Sequence, residues 1–324
     1  MVACMINAGM FLQAQERIKQ EMLQYSDLNT YLRETFGKKV YKLSLDAGFT
    51  CPNRDGTIGT RGCSFCSAGG SGEFAASRRL SIREQIEEAK ERIRGKLPKN
   101  GEVGYLAYFQ AFTNTYAPAE VLRKVYEEAM EAEDVVALSI ATRPDCLQPE
   151  VVALLEELNR RKPIFVELGL QTMHEGSEER IRRGYPLTVF EDAVQRLSQA
   201  GIKVVVHLIL GLPYETKEDM LASVSYVCEQ PIHGLKLQLL HLLEGTDMGE
   251  EYKAMLEEER EKVFACLSMD AYLDMVIECL KIIPPSVVVH RLTGDGPKRI
   301  LIAPKWSGNK KAVLNALRKK MGDC

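Results

Sequence analysis

Short apolar runs separated by charged, helix-forming stretches recur along this chain, and their spacing predicts alternating strands and helices. The first run, VYKLSLD from Val40 to Asp46, alternates apolar and polar positions as a strand does and leads straight into a glycine-rich loop. A charged amphipathic pattern then predicts a helix from Ser81 to Arg94, broken by LPKNG. Five further runs read as strands: GYLAYF (Gly104 to Phe109), VVALSIA (Val135 to Ala141), IFVELGL (Ile164 to Leu170), VVVHLIL (Val204 to Leu210) and LKLQLL (Leu235 to Leu240). Helix-like stretches begin between them near Pro118, Pro149, Thr188 and Glu215. Pro149 suits a first helical turn, where its missing donor costs little, and Gly201 suits the end of the helix before VVVHLIL.

Counting the first strand gives six β/α units. Their Val, Ile and Leu enrichment suits a parallel sheet covered by helices, and a partial or complete TIM-type barrel is favoured over a doubly wound sheet. Polar residues gather after the strands, at Thr142 to Asp145, Gln171 to His174 and Gly211 to Thr216. In a barrel these positions converge on the C-terminal rim, where ligands bind. Residues 1–30 read as an N-terminal helical extension and 31–248 as the barrel. Residues 249–324 read as a helical and strand extension, packed on the barrel and ending in the basic helix KKAVLNALRKKM.

Composition narrows the class. Apolar residues make up 45% of the 324-residue chain, which argues against disorder. The first block lacks a basic leader, and even VVVHLILGL is too short to span a bilayer, which predicts a cytoplasmic protein with no membrane partner. The formal net charge of −3 hides a local excess, because eight Lys and Arg stand against one Asp from Gly296 to Cys324. Such a tail steers polyanions or simply solvates a terminal helix.

Nine cysteines, an odd number widely scattered, make a poor disulfide framework. Cys146, Cys228, Cys266 and Cys279 read as small buried thiols. Cys51, Cys63 and Cys66 differ, because they fall inside CPNRDGTIGTRGCSFC, where Gly56, Gly59 and Gly62 let the chain fold back. Three thiolates can hold three irons of a cubane and leave the fourth open to a bidentate ligand. Arg54 and Arg61 would offset negative charge, and Phe65 would shield one cluster face. The residues alone leave two other readings open, zinc with a distant fourth ligand and unliganded structural thiols. No nearby histidine completes a usual zinc spacing.

The text YKLSLDAGFTCPNRDGTIGTRGCSFCSAGGSGEF, followed by YFQAFTNTY, TRPD, ELGLQT, RRGY, HLILGLP, RLTGD and APKW, resembles the radical S-adenosylmethionine (radical SAM) superfamily. Within it, the chain is similar to the branch of the Elongator catalytic subunit and bacterial coproporphyrinogen dehydrogenase, and most of all to the YhcC/YtqA (MnmL-like) group. These segments run from about residue 30 to the end of the chain. The eleven residues between Cys51 and Cys63 depart from the superfamily's commoner short gap but suit this group. The resemblance implies a partial (β/α)6 TIM-type barrel, a [4Fe-4S] cluster on Cys51, Cys63 and Cys66, and S-adenosyl-L-methionine as the second cofactor.

It also implies cofactor roles for particular residues. Gln110 would lie near the methionyl end, with Ser139 and Arg143 along the third strand and its exit. Gln171 would meet the ribose hydroxyls, and Arg183 would contact the methionyl carboxylate. Ile209, Gly211 and Pro213 would help form the adenine wall. An amide that both donates and accepts suits Gln171, and a guanidinium fork suits Arg183. Glu167 would orient a neighbour, meet ligand or sit in a barrel salt bridge. His207 would face substrate or be a hydrogen-bonded interior histidine, while His174 and His241 at strand exits do not by themselves indicate acid–base catalysis.

For function, the resemblance implies tRNA wobble-uridine modification. The reaction would convert 5-carboxymethylaminomethyl-(2-thio)uridine to 5-aminomethyl-(2-thio)uridine through a 5′-deoxyadenosyl radical. Partners would be tRNA, a reductant such as flavodoxin or ferredoxin, and a downstream tRNA methyltransferase. Lys305, Lys310 and Lys311, with neighbouring basic residues, would hold phosphates while Trp306 stacks on an exposed base. The alternatives are a radical enzyme acting on a small metabolite and a non-catalytic iron–sulfur RNA-binding protein.

Overall fold

The computed structural model describes residues 25–322, so most of the expected N-terminal extension (1–30) lies outside the described residues. In chain order the elements begin α1 (Leu28–Phe36), β1 (Lys39–Leu45), α2 (Ile82–Ile93), β2 (Val103–Phe109), α3 (Ala119–Glu131) and β3 (Val135–Thr142). They continue with α4 (Pro149–Asn159), β4 (Ile164–Gln171), α5 (Glu175–Ile181), α6 (Leu187–Gln199), β5 (Lys203–Leu210), α7 (Lys217–Cys228) and β6 (Gly234–Leu239). The remainder comprises β7 (Leu242–Leu243), α8 (Asp247–Ala254), α9 (Glu257–Val263), α10 (Met269–Ile282), β8 (Val288–Arg291), β9 (Leu301–Ala303) and α11 (Lys310–Met321).

The expected strands pair in parallel in sequence order, and β8 adds a seventh strand beside β6. This is a curled, parallel α/β sheet of the partial TIM-barrel type. The extra strand comes from PPSVVVHR, whose apolar run is too short to identify as part of the barrel from sequence. A small antiparallel pair, β7 with β9, follows the barrel.

Local chemistry sets the helix ends. Ser81 and Glu84 form a capping box at α2, and Thr216 with Asp219 does the same at α7. Pro149 opens α4, and Gly201 at φ +67° follows α6, as their positions in the sequence predict. Alternation along each strand sends one set of side chains outward under the helices, including Leu43, Phe109, Ile140, Val166 and Leu208. The other set fills the barrel in layers.

The lowest layer is apolar. Val40, Leu106, Ala137, Phe165 and Val205 pack together, and Leu28, Tyr31, Leu32 and Phe36 of α1 cover them. Two residues further along each strand the character reverses. Lys42, Tyr108, Ser139, Glu167, His207 and Lys236 occupy one polar layer contributed by six strands. Because buried charge is tolerated only when it is paired, the charged side chains of this layer must bond one another.

Candidate functional site

The cysteine loop leaves β1 and folds around Arg54. The Arg54 guanidinium donates to the carbonyls of Cys66 (3.0 Å) and Ser67 (2.6 Å) and lies 5.7 Å from the centre of the Phe112 ring. Gly62, at φ +75°, runs so close that a Cβ there would lie 3.0 Å from Arg54 Nε. Further on, a Cβ on Gly72 would lie 2.5 Å from the Ala111 Cβ, so the SAGGSGEF glycines let the loop press against the exit of β2.

Contacts from Asn53, Ser64 and Arg61 tie this loop to the chain after β4 and to α8. Asn53 Nδ2 donates to the Arg182 carbonyl at 2.7 Å and reaches Cys63 Sγ at 3.5 Å. The Ser64 amide donates to the Ile181 carbonyl at 3.0 Å, and its carbonyl accepts from the Met248 amide at 3.0 Å. Arg61 (2.6 Å) and Arg182 both grip Asp247, the first residue of α8. Arg61 is therefore committed to an ion pair within the protein.

Cys51, Cys63 and Cys66 all face one cavity of about 580 Å³ at the C-terminal rim of the barrel. Burial, then repulsion from Cys66, pushes the Cys63 thiol up to about 11, against opposing pulls from Arg143 and Asn53. Burial also raises the Cys66 thiol, against the opposing pull of Arg54. A site that penalises free thiolates in this way favours a cationic metal centre to neutralise them. Among the described residues no three His, Cys, Asp or Glu side chains gather into a group that could hold a metal ion. In a cubane with one iron left open, three thiolates each take a different iron and surround a shared cavity, and Cys51, Cys63 and Cys66 fit that requirement.

Deeper in the cavity lies the polar layer. Glu167 is fully buried and accepts from Lys42 (3.2 Å), Ser139, His207 Nε2 (2.8 Å) and Lys236. Burial alone would raise its carboxyl, but Lys236 and Lys42 hold it well below the usual carboxylate range, aided by the His207 hydrogen bond. Gln238 Nε2 lies 3.2 Å from His207 Nδ1, which places the His207 proton on Nε2. Burial first, and then Lys236, lower His207 to about 4, so the imidazole is neutral near pH 7.

The structure brings together most residues singled out in the sequence. Phe65, Gln110, Arg143, Glu167, Gln171, Arg183, His207, Ile209 and Lys310 line the cavity together with the cysteines. Gln110 donates to the Ser71 carbonyl at 2.7 Å, and Gln171 sits at φ +71° with its buried Oε1 unpartnered. Arg143 pairs in two-pronged fashion with Asp145. Arg183 spends Nε and Nη1 on the carbonyls of Tyr185, Leu170 and Thr172, leaving Nη2 as its uncommitted donor.

Other residues fall away from the cavity. Ser139 is wholly buried behind Glu167, to which it donates. The backbone of Gly211 packs against Cys266, and its amide points at Met220 Sδ (3.1 Å), while Pro213 is buried outside the cavity lining. The Trp306 indole donates to the Leu267 carbonyl (2.7 Å) and packs 5.7 Å from the Tyr272 ring, and Lys305 donates to the Leu301 carbonyl. Neither residue lines the cavity, nor does the exposed Lys311. His174 bonds the Asp219 carbonyl at 2.9 Å, outside the lining.

Sequence reasoning missed Asn53, Lys42, Lys236, Gln238 and Arg291 as site residues. A signal existed for two of them. In GLKLQL, Lys236 and Gln238 share one face of a strand that is otherwise apolar, a pattern that points to a polar barrel interior.

Comparisons with known proteins fit this geometry. Residues 55–227 match the family described as the Radical SAM superfamily, and residues 232–323 match the Radical_SAM C-terminal domain. Over 299 residues the chain is 48% identical to YtqA of Bacillus subtilis, covering 92% of this chain and 89% of that protein. It is 36% identical over 280 residues to YhcC of Escherichia coli K12, covering 86% of each. Among solved structures, the archaeal Methanocaldococcus infernus Elp3 with an N-terminal deletion superposes with a TM-score of 0.59 at 19% identity, covering 87% of this chain and 63% of that one.

Proposed function

This chain belongs to the radical SAM superfamily, as an enzyme that uses a [4Fe-4S] cluster and S-adenosylmethionine, and we propose that it processes the wobble-uridine side chain of tRNA. The reaction is conversion of 5-carboxymethylaminomethyl-(2-thio)uridine to 5-aminomethyl-(2-thio)uridine: the carboxymethyl carbon is oxidised by two electrons at the expense of S-adenosylmethionine, which ends as methionine and 5′-deoxyadenosine, and water hydrolyses the resulting imine to the primary amine and glyoxylate. Cys51, Cys63 and Cys66 hold the cluster. With S-adenosylmethionine bound, it supplies reductive cleavage of the sulfonium and abstraction of a hydrogen atom.

The chain's own residues bind and orient. Phe65, Ile181, Ile209 and Leu240 give the cavity an apolar wall suited to an adenine ring and to keeping water out. The free Gln171 Oε1 accepts from a ribose hydroxyl, and Arg183 Nη2 donates to a carboxylate. Arg54, Asn53 and Asp247 keep the cysteine loop on the rim.

One observation carries the tRNA reading above a small-metabolite reading. Lys310, the first residue of the basic helix α11, lines the same cavity as the three cysteines, so a polyanion held by α11 lies at the cavity's edge. The similarity in fold to an Elp3 protein agrees with it. The test is mass spectrometry of tRNA nucleosides after deletion of the encoding gene. Accumulation of the carboxymethylaminomethyl form at the expense of the aminomethyl form is expected, and an unchanged ratio overturns the proposal.

A further inference from the structure

The motif RLTGD has no role in the account above, yet it delivers Arg291, Gly294 and Asp295 to the cavity wall. Its backbone is held in place, because Tyr272 donates its hydroxyl to the Leu292 carbonyl at 2.7 Å. Gly294 lies against His241, where a Cβ would sit 2.9 Å from the imidazole Cε1. That glycine lets Arg291 and His241 share one wall. Arg291 itself makes a single long contact, 3.4 Å from Nη1 to Gln238 Oε1.

Charge along this wall is unbalanced. Glu167 is already shared among Lys42, Lys236, Ser139 and His207. Asp295 is exposed and makes no ion pair among the described residues. Half-buried Lys310 makes no hydrogen bond or ion pair among them either, and burial followed by repulsion from Arg291 pulls its ammonium below the ordinary lysine range. His241 has a buried Nε2 with no partner. Two cations and one uncommitted imidazole nitrogen thus face a cavity whose neighbouring carboxylate, the exposed Asp295, attracts Lys310 and His241 through space but forms no ion pair with them.

We propose that Arg291 and Lys310, with His241 beside them, form a subsite for the carboxylate of the substrate's carboxymethylamino arm. This rests on the uridine reading above and adds the residues that recognise the arm. A guanidinium fork takes two carboxylate oxygens, and an ammonium closes over one of them. Because the arm's carbon beside nitrogen is one bond from that carboxylate, fixing the anion fixes the carbon to be attacked. Arg291 and Lys310 are then specificity-determining residues, contributed by β8 and α11 rather than by the cysteine loop.

The test is equilibrium binding to the full chain, by calorimetry, of 5-carboxymethylaminomethyluridine nucleoside and its methyl ester. N-acetylglycine serves as a minimal carboxylate, and inorganic phosphate as a competitor. The acid should bind about tenfold or more tightly than the ester, as a charge-assisted pair requires. Arg291→Gln and Lys310→Gln should each remove that preference, and Arg291→Lys should restore part of it. Lys310→Gln lies at the start of a surface helix, so it keeps the test decisive should Arg291→Gln fold poorly.

Equal binding of acid and ester, or a preference that survives both glutamine variants, overturns the subsite. Phosphate competing as strongly as the acid assigns the cations to the tRNA backbone and overturns it too. So does a loss of S-adenosylmethionine affinity in Arg291→Gln that matches the loss for the acid. If N-acetylglycine binding depends on Arg291 and Lys310 while tRNA from the deletion strain is unchanged, the carboxylate subsite stands and the uridine reading falls.

Discussion

Replacing Lys236 by Met removes one ammonium from the polar layer while roughly keeping the volume of the side chain. The buried Glu167 carboxylate would then rely on Lys42 at 3.2 Å and His207 at 2.8 Å. Breaking a buried pair by removing one partner costs about 3–5 kcal/mol, and because these contacts persist the loss should fall near 3 kcal/mol. Each kcal/mol lowers the melting temperature of a large domain by roughly 2–4 °C, so a fall of about 6–12 °C is expected. Glu167→Gln should cost a similar amount, since it strands Lys236. The double variant should be less destabilised than the sum of the singles by at least about 2 kcal/mol, because neither charge is then left alone. Urea unfolding of the four proteins measures this cycle. Additive losses, or single losses under about 1 kcal/mol, would refute the view that Glu167 and Lys236 stabilise each other across the barrel.

Further outcomes follow from the site. Alanine at Cys51, Cys63 or Cys66 should abolish the visible absorption of anaerobically reconstituted protein and its release of 5′-deoxyadenosine, and retention of both in any one variant removes that cysteine from the cluster. Arg54→Ala should leave the fold intact but reduce iron bound per chain on reconstitution, because it frees the carbonyls of Cys66 and Ser67. Gly72→Ala should destabilise by about 1–3 kcal/mol through overpacking against Ala111, read from chemical unfolding. Acid should weaken the fold in a defined window. His207, His233 and His241 are each lowered from 6.5 to about 4, with burial as the largest cause. Their contribution is fully present above pH 6.5 and is lost as pH falls through 4, on the order of 3 kcal/mol for a single group. A flat stability curve between pH 7 and 4 would contradict this.

Much of the barrel is legible in the sequence because parallel strands buried on both sides need continuous apolar runs, and VVALSIA, IFVELGL and VVVHLIL provide them. The cysteine loop is legible because thiols spaced among glycines combine soft donors with a chain able to turn. What strand periodicity does not show is which polar residue closes on which. Glu167 reads in the sequence in three ways, and only closure of the sheet brings Lys42 of β1 and Lys236 of β6 to the same carboxylate. Arg183 reads as a free fork, yet the backbone turn after α5 presents it with three carbonyls. Trp306 reads as a stacking platform, but its indole lies beside Tyr272, a residue over thirty positions earlier. The seventh strand was hidden for a related reason: VVHR is four residues long, and its place beside β6 depends on a partner rather than on its own pattern.

The grip of Arg61 and Arg182 on Asp247 bears on how this protein is best handled at the bench. The Asp247 side chain keeps 36% of its surface in water, and Arg61 keeps 70%, so dissolved ions compete for both. Concentrated salt, useful for washing nucleic acid from a basic surface, therefore also slackens the latch between the cysteine loop and α8. Iron and sulfide are best installed in dilute buffer, with the salt wash completed beforehand.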